Sequence, residues 1–317
     1  MTYRIKIILL TFFLSLPFWW GINVLENKLE DFFFWQKLAR DQIFAAQISL
    51  EQKLLGMGPI YKNGAGEPDI TAKSIISVFV GENGQNKILF QRNTEEKLPI
   101  ASLAKLMTAK VVFDNYDLKK HITVSKEAVM QEENFGDLKI GGKYDVEYLL
   151  YALLIESSND AAYALAADYE GMTYDKFVGL MNKEAQELGL LRTYFFNPTG
   201  LDSEDTMPKT ETNYSTAKDL AVLAESLLDA PLVWEILSTP KYSQYGTELD
   251  NTNMLLDDIP GIIGGKTGYT GEAGKCMLLV LRSPKNRGLI VNVILGANNK
   301  FSEMKKLTNW LETVYKW

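Results

Sequence analysis

The sequence predicts an α+β chain of two interlocked lobes carried behind an N-terminal membrane helix. Three observations predict this. Strand-like segments lie at 74–101 and 260–317, helical periodicity dominates 102–259, and an uncharged apolar run precedes both. The 317 residues, 46% apolar and 23% charged, suffice for one large domain or two closely packed subdomains with an appendage. A net charge of −7 without a basic stripe argues against nucleic acid as a partner.

From Ile7 to Leu25 no residue is charged, and a helix of that length spans roughly 28 Å. Arg4 and Lys6 precede it and Trp19 and Trp20 sit where an interfacial belt would, so the positive-inside rule sends the rest of the chain outside. Residues 1–25 are thus expected to be a cytoplasmic stub and transmembrane anchor. The competing reading, a cleaved signal peptide, lacks its small-residue cleavage pattern. Residues 26–73 read as a juxtamembrane helix and a glycine- and proline-containing linker, with a helix packed on the main domain as the alternative for the first part. Residues 74–317 form the main domain.

Within it, "SIISVFVGENGQNKILFQRN" reads as a hairpin. The apolar helical run "LPIASLAKLMTAKVVFDN" follows. From about 116 to 250 the pattern is mostly helical, with "STAKDLAVLAESLLD" capped by Ser215 or Thr216. "GIIGGKTGYT", "AGKCMLLVLRS" and "GLIVNVILGA" read as three strands, and "FSEMKKLTNWLETVY" as the closing helix. The polar stretch "DSEDTMPKTETN", residues 202–213, reads as an exposed loop, with a lid over a site as the alternative.

The chain holds one histidine, His121, and one cysteine, Cys276. A zinc site needs a cluster of ligands, and a Ser-His-Asp triad would have to use His121 in a polar turn-like segment. No metal and no cofactor is expected, and Cys276 is expected to pack as a small apolar residue. Ser102 and Lys105, three apart, share one face of a helix, so the amine can reach the hydroxyl. Lysine serves as a base only when uncharged. Bringing its pKa from about 10.4 toward 7 requires roughly 4 to 5 kcal/mol, which burial and a second nearby cation can supply. Ser157 and Asn159 stand in "LLIESSNDAAYALA", and Lys266, Thr267 and Gly268 on the strand "GIIGGKTGYT". S-x-x-K, an S-x-N-type element and K-T-G, in this order, are shared by penicillin-binding proteins and class A β-lactamases.

With "FFNPTGLD", "YSTAKDLA" and "GGKTGYTGEAGKCM" added, the chain from about Ser74 to Ala297 resembles the serine-type D-alanyl-D-alanine carboxypeptidases, the low-molecular-mass penicillin-binding proteins. The resemblance implies the DD-peptidase/β-lactamase-like fold, an antiparallel sheet packed with a helical lobe. It implies Ser102 as acylated nucleophile, Lys105 as its base, and Ser157 and Asn159 as proton carrier and substrate orienter. Lys266 and Thr267, in the Lys-Thr-Gly-Tyr run that Gly268 and Tyr269 complete, would bind the substrate's terminal carboxylate. The backbone N–H groups of Ser102 and Tyr269 would form the oxyanion hole. The implied partners are peptidoglycan stem peptides ending in D-Ala-D-Ala, and β-lactams as acylating inhibitors.

Three departures stand out. Ser158 replaces the usual glycine of the middle motif, with little effect expected. Relatives often carry a β-rich domain and an amphipathic anchor after the catalytic domain, whereas the sequence reaches Trp317 just past the final helix. The N-terminal anchor is expected to take the tail's place. The 202–213 stretch is longer and more polar than expected. Alternatives are a D,D-endopeptidase, a β-lactamase (disfavoured because no E-x-x-L-N-like stretch lies between Asn159 and Lys266) and a non-catalytic β-lactam sensor.

Overall fold

The structure, a computed structural model, describes residues 58–317 except 63, 65, 83, 133–135, 204 and 206–210. The expected membrane helix and the first part of the juxtamembrane segment lie outside the described residues. Among the described residues no helix is long and apolar enough to cross a membrane.

The centre is a five-stranded antiparallel sheet. Its strands are β1 (Ser74–Gly81), β2 (Asn86–Arg92), β3 (Ile262–Thr270), β4 (Gly274–Arg282) and β5 (Gly288–Ala297). Their order is β3-β4-β5-β1-β2, so the two ends of the main domain pair in the middle through β5 and β1. Period-2 alternation gives the sheet two buried faces. Ile75, Phe79, Met277, Leu279, Ile290 and Ile294 pack on the closing helix α7, described below, whereas Ile76, Val78, Leu278, Val280, Val291 and Val293 face the helical lobe. This double burial accounts for the near-continuous apolar runs of β4 and β5. One polar pair interrupts the first face, where Ser77 Oγ donates to Asn292 Oδ1 at 2.8 Å.

The helical lobe comprises α1 (Lys105–Asn115), α2 (Val146–Tyr151), α3 (Asn159–Ala167), α4 (Tyr174–Glu187), α5 (Ala217–Ser226) and α6 (Pro231–Ser238). Helix α1 is buried on nearly every side over its first turns, the mark of a core helix. Of the two candidate caps for α5, Thr216 is the one used: its side chain accepts from Asp219 N–H at 3.0 Å. The span expected to be mostly helical also contains two small antiparallel pairings. His121–Thr123 pairs with Lys143–Asp145, leaving His121 exposed, and Lys241–Gln244 pairs with Thr247–Asp250. The second is a hairpin because Tyr245 and Gly246 both take positive φ, 54° and 81°, which matches the twist a tight two-residue turn needs.

Helix α7 (Lys300–Val314) closes the domain, and its Glu303 ties the start of the sheet to the end. The carboxylate accepts from Thr71 N–H, Thr71 Oγ1, Ala72 N–H, Asn298 N–H and Asn299 N–H at 2.8–3.1 Å. Burial works to raise its pKa, but these hydrogen bonds hold it below the ordinary range. The stretch read as a linker also pairs here: Ile60–Tyr61 lies antiparallel to Tyr315–Lys316.

Candidate active site

Ser102 sits in a single 3-10 turn, Ala101–Ala104, that runs directly into α1. Its predecessor Ala101 holds φ at +49°, a left-handed conformation costing a non-glycine residue about 1–2 kcal/mol. Two glycines crowd this backbone. A Cβ on Gly200 would stand 2.1 Å from Ala101 O and 2.9 Å from Ser102 N, and one on Gly268 would stand 3.2 Å from Ser102 N. Strand β3 therefore passes against the nitrogen of Ser102.

Lys105, one turn on, is fully buried. Its Nζ contacts Ser102 Oγ at 2.9 Å, Asn159 Oδ1 at 2.7 Å and the carbonyl of Thr199 at 2.5 Å. Each partner is itself fixed. Asn159 opens α3 and donates its Nδ2 to Glu132 O at 2.8 Å, which orients its oxygen toward Lys105. The 197–200 turn is knit by Asn197, whose Oδ1 accepts from Gly200 N–H at 2.7 Å and Thr199 Oγ1 at 2.9 Å. Thr108 of α1 donates to Pro198 O at 2.7 Å. An uncharged amine has two N–H bonds and one lone pair. In that uncharged state Asn159 and Thr199 would accept the two N–H bonds, and the lone pair would face the hydroxyl of Ser102.

Ser157 ends a π-helical turn, Ala152–Glu156, in the left-handed region with φ +68°. From there its Oγ accepts from Lys266 Nζ at 2.9 Å. Ser158, where glycine is usual, caps α3: its Oγ accepts from Ala161 N–H at 3.1 Å. Lys266 is fully buried in β3 and also donates to the carbonyl of Thr267 at 3.0 Å. Burial first, then repulsion from Lys105 and Lys300 whenever they carry a proton, pushes its pKa well below the ordinary lysine value. That repulsion is mutual, so Lys266 in turn disfavours a charge on Lys105. Thr267 Oγ1 donates to Thr252 Oγ1 at 2.7 Å, and the side chain of Tyr269, at the end of β3, is 56% exposed. Strand β3 is one of the two edges of the sheet.

The geometry joins Ser102, Lys105 and Asn159 in one hydrogen-bonded set and Ser157 with Lys266 in another, the two lysines close enough to repel, with Thr267, Gly268 and Tyr269 continuing the strand that passes Ser102. Sequence reasoning missed the carbonyl of Thr199, since a backbone atom leaves no residue-type signal, and it missed Thr252 and Lys300. Lys300 Nζ donates to Gly268 O at 3.2 Å, with its pKa lowered by burial. Two acids back the middle motif. Burial raises the pKa of Glu156 to about 7, assisted by Asp137 and Asp250, and burial raises that of Asp160 to about 7. Cys276 packs in β4 with its thiol pushed up to about 11 by burial.

Comparison with known proteins places this arrangement in a family. The sequence model described as "D-alanyl-D-alanine carboxypeptidase", peptidase family S11, matches residues 61–299. The D-alanyl-D-alanine carboxypeptidase DacF of Bacillus subtilis is 33% identical over 256 residues, covering 77% of this chain and 62% of its own length. A D-alanyl-D-alanine endopeptidase of Pseudomonas aeruginosa is 34% identical over 250 residues, covering 75% of this chain and 77% of that protein. The crystal structure of a D-alanyl-D-alanine carboxypeptidase from Mycobacterium tuberculosis superposes with a TM-score of 0.71 at 29% identity, covering 80% of this chain and 96% of that one. Cefotaxime-bound penicillin-binding protein D2 of Listeria monocytogenes gives 0.67 at 28% identity, covering 78% and 100%. A family match over most of the chain, with the two lysine–serine pairs set at the sheet edge, settles the assignment: the chain belongs to the S11 family of D-alanyl-D-alanine carboxypeptidases.

Proposed function

We propose that this chain is a membrane-anchored serine carboxypeptidase that removes the terminal D-alanine from peptidoglycan stem peptides on the extracytoplasmic side. The observation that carries the reading is the pair of buried lysines, each on a serine hydroxyl: Lys105 on Ser102 and Lys266 on Ser157, both at 2.9 Å. Uncharged Lys105 takes the proton of Ser102 as its Oγ attacks the carbonyl carbon of the penultimate D-alanine. The backbone N–H groups of Ser102 and Tyr269 receive the oxyanion. As the C–N bond breaks, a proton passes through Ser157 to the departing amine, and D-alanine leaves with an ester on Ser102. Water attacks that ester, Ser102 regains its proton, and the shortened peptide departs. Asn159 orients the substrate amide, and Lys266 and Thr267 hold the terminal carboxylate. β-Lactams would acylate the same serine.

Supporting the anchor is the apolar run Ile7–Leu25 behind Arg4 and Lys6. The working division is 1–25 anchor, 26–73 juxtamembrane segment, 74–317 catalytic domain. The test incubates the chain with a pentapeptide ending in D-Ala-D-Ala and measures free D-alanine. Wild type should release it and Ser102→Ala should not; release by the variant refutes the nucleophile. A second reading, a D,D-endopeptidase, is favoured by the 34% identity to the Pseudomonas endopeptidase. A cross-linked dimeric muropeptide offered beside the pentapeptide separates the two by which is consumed faster.

A further inference from the structure

Thr252 lies in the segment that leads from the small hairpin to β3, and the function proposed above leaves it without a task. Its backbone N–H donates to Ile155 O at 2.9 Å, two residues before Ser157. Neighbouring Asn251 is pinned by donating its Nδ2 to Leu237 O and Thr239 O at 3.2 and 2.8 Å. The Thr252 side chain is thus held on a fixed backbone, and its Oγ1 accepts from Thr267 Oγ1 at 2.7 Å. Thr267 is only 4% exposed.

A hydroxyl owns one proton, and a carboxylate can only accept. At rest the proton of Thr267 points at Thr252. When a carboxylate arrives, that proton must turn toward it, and the 2.7 Å contact survives only if Thr252 reverses and becomes the donor. Its own hydroxyl is a free rotor, so it can. Donating to Thr267 Oγ1 also polarises the Thr267 O–H and strengthens its bond to the anion.

We infer that Thr252 is a positioning residue that turns the hydroxyl of Thr267 onto the substrate's carboxylate by exchanging its role from acceptor to donor. The inference rests on the reading of Thr267 as a carboxylate-binding group.

The test compares acylation rates with labelled benzylpenicillin and with its methyl ester, which keeps the ring but removes the negative charge. Wild type should prefer the free acid. Thr252→Val, near-isosteric and retaining the backbone bond to Ile155, should lower that preference about fivefold, the size of one neutral hydrogen bond. Thr252→Ser should restore it. A preference unchanged in Thr252→Val, or both rates falling by the same factor, overturns the inference, because a merely structural role would not distinguish acid from ester. If the valine variant does not fold, Thr252→Ala is read by the same ratio. Equal wild-type rates for acid and ester would instead overturn the carboxylate reading of Thr267, and this inference with it.

Discussion

Gly200→Ala is the substitution for which the structure makes the sharpest demand. The new Cβ would lie 2.1 Å from Ala101 O and 2.9 Å from Ser102 N, both backbone atoms that no rotamer change can move. Bringing the first contact to the 3.0 Å that real Cβ atoms respect means parting the 200 turn from the Ser102 turn by roughly 1 Å. The φ of +84° adds strain of about 1–2 kcal/mol, and overpacking adds about 1–3 kcal/mol. The expected loss of stability is about 3 kcal/mol, a fall in Tm of about 6–12 °C for a domain of this size. Because Thr199 O grips Lys105 from the same turn, the amine and the hydroxyl should part as well, and a 1 Å misplacement costs about 10²-fold in rate. The assays are thermal unfolding, D-alanine release and labelling by penicillin. Gly189→Ala is the control: its φ of +71° carries similar strain, yet nothing lies within 4 Å of its Cβ. That variant should lose about 1 kcal/mol and keep full activity. Wild-type rates and an unchanged Tm in Gly200→Ala, or equal effects of the two substitutions, would refute the crowding argument.

The remaining expectations concern the base, the clasp and the buried acids. Lys105→Arg installs a permanently charged group that cannot shed its proton, so D-alanine release and penicillin acylation should fall about 10²- to 10⁴-fold. Glu303→Ala strands five donors, three of them on the 71–72 segment, and should cost about 3 kcal/mol or more, read as a lower midpoint in urea. Glu156 and Asp160 each have a pKa raised from the ordinary carboxylate range to about 7. The unfolded chain therefore ionises first, and the stability from these two groups, full below about pH 4, declines as pH rises toward 7. Glu156→Gln should flatten its part of that decline, measured as Tm against pH. An unaltered slope would exclude Glu156 as a contributor.

Much of the fold was legible because its signals are periodic. The hairpin of β1 and β2, the three late strands and α7 stand where alternation and helical spacing put them, since a sheet buried on both faces leaves runs such as "MLLVL" little other use. The 241–250 hairpin was not legible, because Tyr245 gives no warning that it will accept φ of +54°. The spacing of Ser102 and Lys105 conveys that they meet, since residues three apart share a helical face. It does not convey the 3-10 turn and the left-handed Ala101 that set the angle of approach. The Thr199 carbonyl escaped notice because its contribution is backbone, whatever the side chain. Thr252 escaped because an isolated threonine in a loop is unremarkable until the fold sets it 2.7 Å from another. The stretch "DSEDTMPKTETN" lies partly outside the described residues, and its Asn213 serves the interior by accepting from Phe196 N–H and Asn197 N–H at 2.7 and 3.0 Å.

The pairing of β1 with β5 has a consequence for the order in which reactivity arises. Strand β1 can dock only when residues 288–297 have been made, and the lysine on β3 reaches its place only as part of that finished sheet. Contacts between segments so distant in the chain form late and slowly. A nascent polypeptide can thus carry its serine long before either lysine stands beside it, and under the proposed function only the completed fold would turn an ordinary alcohol into a nucleophile.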